Sequence, residues 1–99
     1  AFHGRTIGSL SVTWDEHYRA PFEPLLADVT WVPANDPDAL DKAVSSTTAA
    51  IIVEAVQGEG GIRPLGPEIA PAIERARQRS GALLIAVTRT RTAGCETRL

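Results

Sequence analysis

Apolar and polar positions alternate in blocks along the chain, and the blocks have two different periods. Ala49 to Val53 is continuously apolar and β-branched near its end, then stops at Glu54. That pattern predicts a strand covered on both faces, as in parallel sheets. Leu83 to Ala86 repeats it as the next buried strand. Between them Ile69, Ile73 and Ala76 recur at helical spacing up to Ser80-Gly81, where a glycine can take the left-handed conformation that ends a helix. Pro71 removes one backbone donor, so this helix is expected to start late or fray in its first turn.

Upstream, Val29 to Val32 is β-branched and aromatic and closed by Pro33, which predicts a short strand. In the next stretch, NDPDALDKAV, Asp36 can cap free backbone N–H groups, Pro37 suits a first turn, and Leu40, Ala43 and Val44 share a face. Ser9 to Trp14 is short and partly alternating. Asp15 to Pro24 is polar and aromatic with two prolines and reads as irregular surface chain. The order β-α-β-α-β, with helices long enough to cross over, predicts a parallel, three-layer α/β arrangement. No internal repeat or low-complexity segment interrupts it.

Ninety-nine residues allow one small core. A hydrophobic content of 43% with 22% charged residues is that of a soluble globular chain, and no apolar run approaches the roughly 20 residues a membrane span needs. The chain opens at Ala1 without an initiator Met or a secretory leader, and reads as an internal fragment or truncated product. One cysteine, Cys95, forms no internal disulfide and no metal site, so a reducing compartment, the cytoplasm, is expected. The net charge of −2 is uneven: residues 1–74 carry 11 of the 12 acidic side chains, and the C-terminal quarter holds most of the arginines. Arg75, Arg77 and Arg79 read as a solvated helix face rather than a nucleic-acid surface, and the rest of that end as a loose tail.

In open parallel sheets ligands sit beyond the carboxyl ends of the strands. Glu54 lies at such an end, with Gln57 and Glu59 in the loop after it. Neither glutamate has a Lys or His adjacent in sequence, so metal binding and paired-carboxylate hydrolysis are weakly suggested. Gly58, Gly60 and Gly61 lack the Lys and Ser/Thr of a phosphate loop and read as turn formers. His3 and His17 show no metal-ligand spacing. Taken alone, Phe2 is an ordinary core aromatic, Arg5 a surface Arg, and Glu54 as much a strand-end acceptor of backbone N–H groups as a functional carboxylate.

Three ordered motifs change this reading. Phe2-His3-Gly4-Arg5-Thr6 with Gly8 to Trp14, Tyr18-Arg19 and Pro21-Phe22; Val53-Glu54-Ala55-Val56-Gln57-Gly58-Glu59-Gly60-Gly61-Ile62-Arg63-Pro64; and Gly81 to Ala86 together resemble the large domain of class III pyridoxal-phosphate aminotransferases, in the acetylornithine and acetyl-lysine branch. Ala55 stands where that family has Pro. The resemblance covers nearly all of residues 1–86 but a minority of a full family chain; it marks them as part of the cofactor-binding large domain of the type I fold, and leaves residues 87–99 as a divergent tail. It implies that Phe2 stacks on the cofactor's pyridine ring, since a flat apolar face holds an aromatic system. It implies that Arg5 grips the substrate α-carboxylate through a planar guanidinium. It also implies that Glu59 pairs with an arginine from elsewhere in the chain, with Glu54 and Gln57 supporting the pocket. The parent enzyme would be a homodimer, transferring an amino group from N-acetylornithine or a related ω-amino substrate to 2-oxoglutarate in arginine or lysine biosynthesis.

Two requirements of that chemistry are missing. Transamination needs a lysine for the internal Schiff base, and the one lysine here, Lys42, falls on the solvent side of the helix expected after Asp36. After its strand the family continues Asp-Glu-x-Gln-Thr-Gly, whose Asp pairs with the pyridine nitrogen; here Val87 takes the Asp position and Thr90 that of the Gln. Departures that begin this abruptly suggest a disrupted reading frame, and a chain inactive by itself. Two readings of other classes remain: a small α/β ligand-binding or receiver-like module without cofactor, and a scaffold or dimerisation piece.

Overall fold

The computed structural model describes residues 2–57 and 63–87. Its chain runs through α1 (Ile7–Ser11), α2 (Glu16–Arg19), a 3-10 turn (Ala20–Phe22), α3 (Pro37–Ala43), β1 (Ala50–Glu54), β2 (Val56–Gln57), β3 (Arg63–Pro64), α4 (Ile69–Ser80) and β4 (Leu83–Val87). β1 and β4 pair in parallel, Ala50 opposite Leu83 through to Glu54 opposite Val87. β2 and β3 form a separate small antiparallel pair. The result is a small α/β unit around a two-stranded parallel sheet.

The two longer helices form where the sequence places them, for local reasons. The Asp36 side chain accepts the Ala39 N–H and Pro37 opens α3, relieving one of the donors a helix start leaves free. α4 closes on Gly81, whose φ of 78° puts it in the left-handed region while its N–H returns to the Arg77 carbonyl. Pro71 delays nothing: it is the third residue of α4, inside the first turn where an N–H has no helical partner to lose.

Leu40 and Val44 from the α3 end pack against Ile69, Ala72, Ile73 and Ala76 of α4, with Ile51 and Val53 of β1 beneath them. Residues two apart on a strand share a face, so both helices cover the same side of β1. The described core therefore has two layers, and the third is not seen in it. Arg79 ties the helices together by donating to the carbonyls of Val44 and Asp41. It is thus more than a solvated residue, although Arg75 is exposed and Arg77 spends its charge on Glu74 at 2.7 Å.

Three local expectations are corrected. Val29 to Val32 is not a strand: its β-branched residues line a hollow facing β1 and make no ladder. Ser9 to Trp14 contributes to a helix, because Thr6 and Ser9 cap each other reciprocally, a constraint stronger than the weak alternation. Asp15 to Pro24 is ordered into α2 and the 3-10 turn, with Asp15 accepting the His17 N–H and Pro21 inside the turn. A fourth correction concerns burial. Among the described residues β4 has one strand partner, with Leu83 67% and Ile85 45% exposed. β1 is half-buried rather than enclosed on both faces.

Candidate functional site at the carboxyl ends of β1 and β4

The buried carboxylate of Glu54, 5% exposed at the last position of β1, is the centre of the site. Its Oε1 accepts the backbone N–H of Phe2 at 2.8 Å across 52 residues of sequence. A carboxylate held out of water needs such donors, and this one pulls the N-terminal segment onto the strand end. Val87 lies directly across the ladder from Glu54. Phe2, Glu54 and Val87, which are far apart in sequence, therefore meet at one end of the sheet.

The segment carrying Phe2 is held at further points. The His3 N–H donates to Thr13 Oγ1 at 3.0 Å, and that hydroxyl donates in turn to the Ser9 carbonyl at the α1 end. Thr13 is completely buried. No motif singles it out; the requirement arises from the fold, because a buried backbone donor has to find an acceptor. Gly4 allows the turn after His3, with φ 122° and a position where a Cβ would lie 2.9 Å from Ser9 Oγ. The Phe2 ring meets Tyr18 edge-on, with centroids 5.2 Å apart and planes at 67°. This arrangement draws Tyr18 into the site.

Arg5 is exposed and shares a small hollow with Leu10, His17, Tyr18, Pro21 and Phe22. It therefore stands on the Tyr18 side of Phe2. Arg19 is committed elsewhere, its guanidinium 4.4 Å above the Trp31 ring. Gln57 lies in β2, opposite Arg63, just past the strand end. Glu59, Gly58, Gly60, Gly61, Thr90 and Cys95 lie outside the described residues.

His3 borders a larger hollow of about 790 Å³ that also touches Glu54, Trp31, Leu40 and Ile73. Its Nδ1 is buried without a hydrogen-bond partner. Burial lowers the His3 pKa below its ordinary value, and the negative charge of Glu54 opposes this in part. The imidazole is thereby biased toward its neutral form. His17 is exposed and stacks edge-on against Tyr18. Among the described residues no group of three or more His, Cys, Asp or Glu side chains is arranged to hold a metal ion, and no helix is long and apolar enough to cross a membrane.

Against the cofactor that the resemblance implies, the residues present do not fit. The strand-end position beside Glu54 carries Val87, which has no charge or hydrogen bond to offer a pyridinium. The chain's lysine, Lys42, is exposed in the last turn of α3. That turn lies next to Arg79, near where α4 leads into β4, at the amino ends of the strands. Lys42 is thus at the wrong end of the sheet, and no step through the cofactor follows from this chain.

Comparison with known proteins shows the family of this chain. The family model for class III aminotransferases matches residues 1–87. An acetylornithine aminotransferase of Archaeoglobus fulgidus is 52% identical over 84 residues, 85% of this chain and 22% of the relative. A putative LysW-aminoadipate semialdehyde/glutamate semialdehyde transaminase of Pyrobaculum aerophilum is 48% identical over 86% of this chain and 22% of its own length. A probable mitochondrial acetylornithine aminotransferase of Schizosaccharomyces pombe is 49% identical over 86% of the chain and 19% of its own length. The chain thus spans about a fifth of these relatives. With the match running from Phe2 through both parallel strands to Val87, the chain belongs to the class III aminotransferase family.

Proposed function

We infer that residues 1–86 are a piece of the cofactor-binding domain of a transaminase acting on N-acetylornithine or a related ω-amino substrate, with 2-oxoglutarate as the amino acceptor. The observation that carries this reading is the Phe2–Glu54 bond at the strand end, which brings the first motif onto the second. In the parent enzyme, Phe2 supplies an aromatic face and Arg5 a guanidinium for a substrate carboxylate, with Glu59 as the charge that pairs with an arginine elsewhere. Glu54 and Gln57 support the pocket. The parent is read as a cytoplasmic homodimer that uses pyridoxal phosphate. The chain by itself is read as inactive, because Lys42 lies away from the carboxyl ends of the strands and Val87 stands where the family's anchoring Asp would be.

A chimera tests this. Residues 1–86 replace the matching segment of the Archaeoglobus fulgidus acetylornithine aminotransferase, and the relative supplies everything else, including its own lysine. Transfer of the amino group from N-acetylornithine to 2-oxoglutarate is expected to survive, and Arg5→Ala in the chimera is expected to raise KM for both carboxylate substrates. A chimera that folds, retains cofactor and transfers nothing would overturn the reading. In parallel, mixing the chain itself with pyridoxal phosphate is expected to give no specific imine absorbance band.

A further inference from the structure

The parallel ladder runs unbroken from Leu83 to Val87, and position 87 is fixed beside Glu54. The backbone thus builds a strand-end position next to a buried carboxylate, and the side chain placed on it is chemically inert. The family match also ends there, at residue 87. From that point the chain reads Val87-Thr88-Arg89-Thr90-Arg91-Thr92-Ala93, alternating threonine and arginine. We propose that residues 87–99 are a displaced reading of the coding frame, and that the same nucleotides, read from the third base of the Val87 codon, specify Asp-Glu-x-Gln-x-Gly.

The genetic code makes this a strict condition on each residue. The last base of the Val87 codon joins the A-C that begins every threonine codon, and the triplet is Asp when that base is G. The last base of Thr88 joins the first two of Arg89; with Arg89 encoded by AGA or AGG, the triplet G-A-G is Glu. Arg89 then lends A or G to the A-C of Thr90, giving Asn or Asp. Thr90 ending in C joins the A-G of Arg91 to give Gln. Arg91 and Thr92 give Asn or Asp again, and Thr92 ending in G joins the G-C of Ala93 to give Gly.

Few residue types meet these conditions. Asp at the first position requires Thr, Ile or Met at 88. Glu and Gln require Arg, Lys, Asn or Ser at 89 and 91. Gly requires a codon beginning with G at 93. All four positions comply. The other displaced frame begins with the T of the valine codon and cannot encode Asp, so the displacement has a single phase. The recovered order and spacing are those of the Asp-Glu-x-Gln-Thr-Gly continuation that the resemblance implies, with Asn or Asp in the place of Thr. The displaced reading returns a carboxylate to the position opposite Glu54, and accounts for a divergence that starts at one residue instead of spreading through the strand.

The proposal rests on the family membership, but its test is separate. Resequencing the genomic DNA and the transcript across codons 86–93 reads it directly. The expected result is GAC-GAG-RAC-CAG-RAC-GGC, with R for A or G, beginning at the last base of codon 87. A codon for Val87 that ends in A, C or T, or a CGN codon at Arg89 or Arg91, would overturn it. The family assignment stands under either result, because residues 1–87 carry it.

Discussion

The Phe2 N–H donates to Oε1 of Glu54 at 2.8 Å, joining the N-terminal segment to the carboxyl end of β1. Hydrogen bonds to a buried charge contribute about 1.5–3 kcal/mol, and the loss of one partner leaves the other stranded. Here the stranded group after substitution is a backbone N–H, less costly than a bare carboxylate. Glu54→Ala should therefore lower unfolding free energy by roughly 2 kcal/mol, and Glu54→Gln, which keeps an acceptor, by about half as much. Urea unfolding measures the difference, and amide exchange at Phe2 localises it. Unchanged Phe2 protection in Glu54→Ala would mean that the bond does not hold the segment.

His3 makes stability depend on pH in a defined direction. Its folded pKa lies below the ordinary 6.5 because burial disfavours the imidazolium, so the unfolded chain binds the proton more readily. Stability from this group is complete above pH 6.5 and is lost as the pH falls through the lowered folded value. Glu54 is the charge that offsets the shift. His3→Asn should flatten the stability profile just below neutrality. A profile identical to wild type would show that His3 titrates alike in both states.

The α4 terminus offers a backbone test free of packing effects. Gly81 has a φ of 78°, and a Cβ built there meets nothing within 4 Å. Any cost of Gly81→Ala is then conformational, about 1 kcal/mol for an L-residue in the left-handed region. Gly81→Asn should cost less, since Asn tolerates that region. Equal stabilities for all three chains in urea would contradict the left-handed cap.

β4 presents Leu83 and Ile85 on one face, 67% and 45% exposed. An edge strand with bare apolar side chains is a template for pairing with another chain. The isolated chain should associate as concentration rises, and Leu83→Lys with Ile85→Thr should reduce that association. Light scattering against concentration decides the matter; equal association of the double variant would place the contact elsewhere.

How far the sequence determined this protein depends on how local the cause is. Asp36, Pro37 and Gly81 marked the bounds of two helices, because caps and left-handed turns are settled within a few residues of themselves. The apolar runs before Glu54 and after Gly81 marked both parallel strands to within a residue or two, and the three ordered motifs were enough to identify the family. Val29 to Val32 failed because strand propensity acts only when a neighbouring edge is close enough to pair, which no local pattern guarantees. Burial of β4 failed for the same reason: the run LLIAV specifies a strand, whereas what covers it depends on chain that packs from far away. The tertiary structure alone decided that Glu54 binds the Phe2 backbone, that Thr13 holds His3, and that Val87 stands opposite Glu54. Each of these relations joins residues that no local pattern pairs, and only the folded chain brings them within hydrogen-bonding or ladder distance.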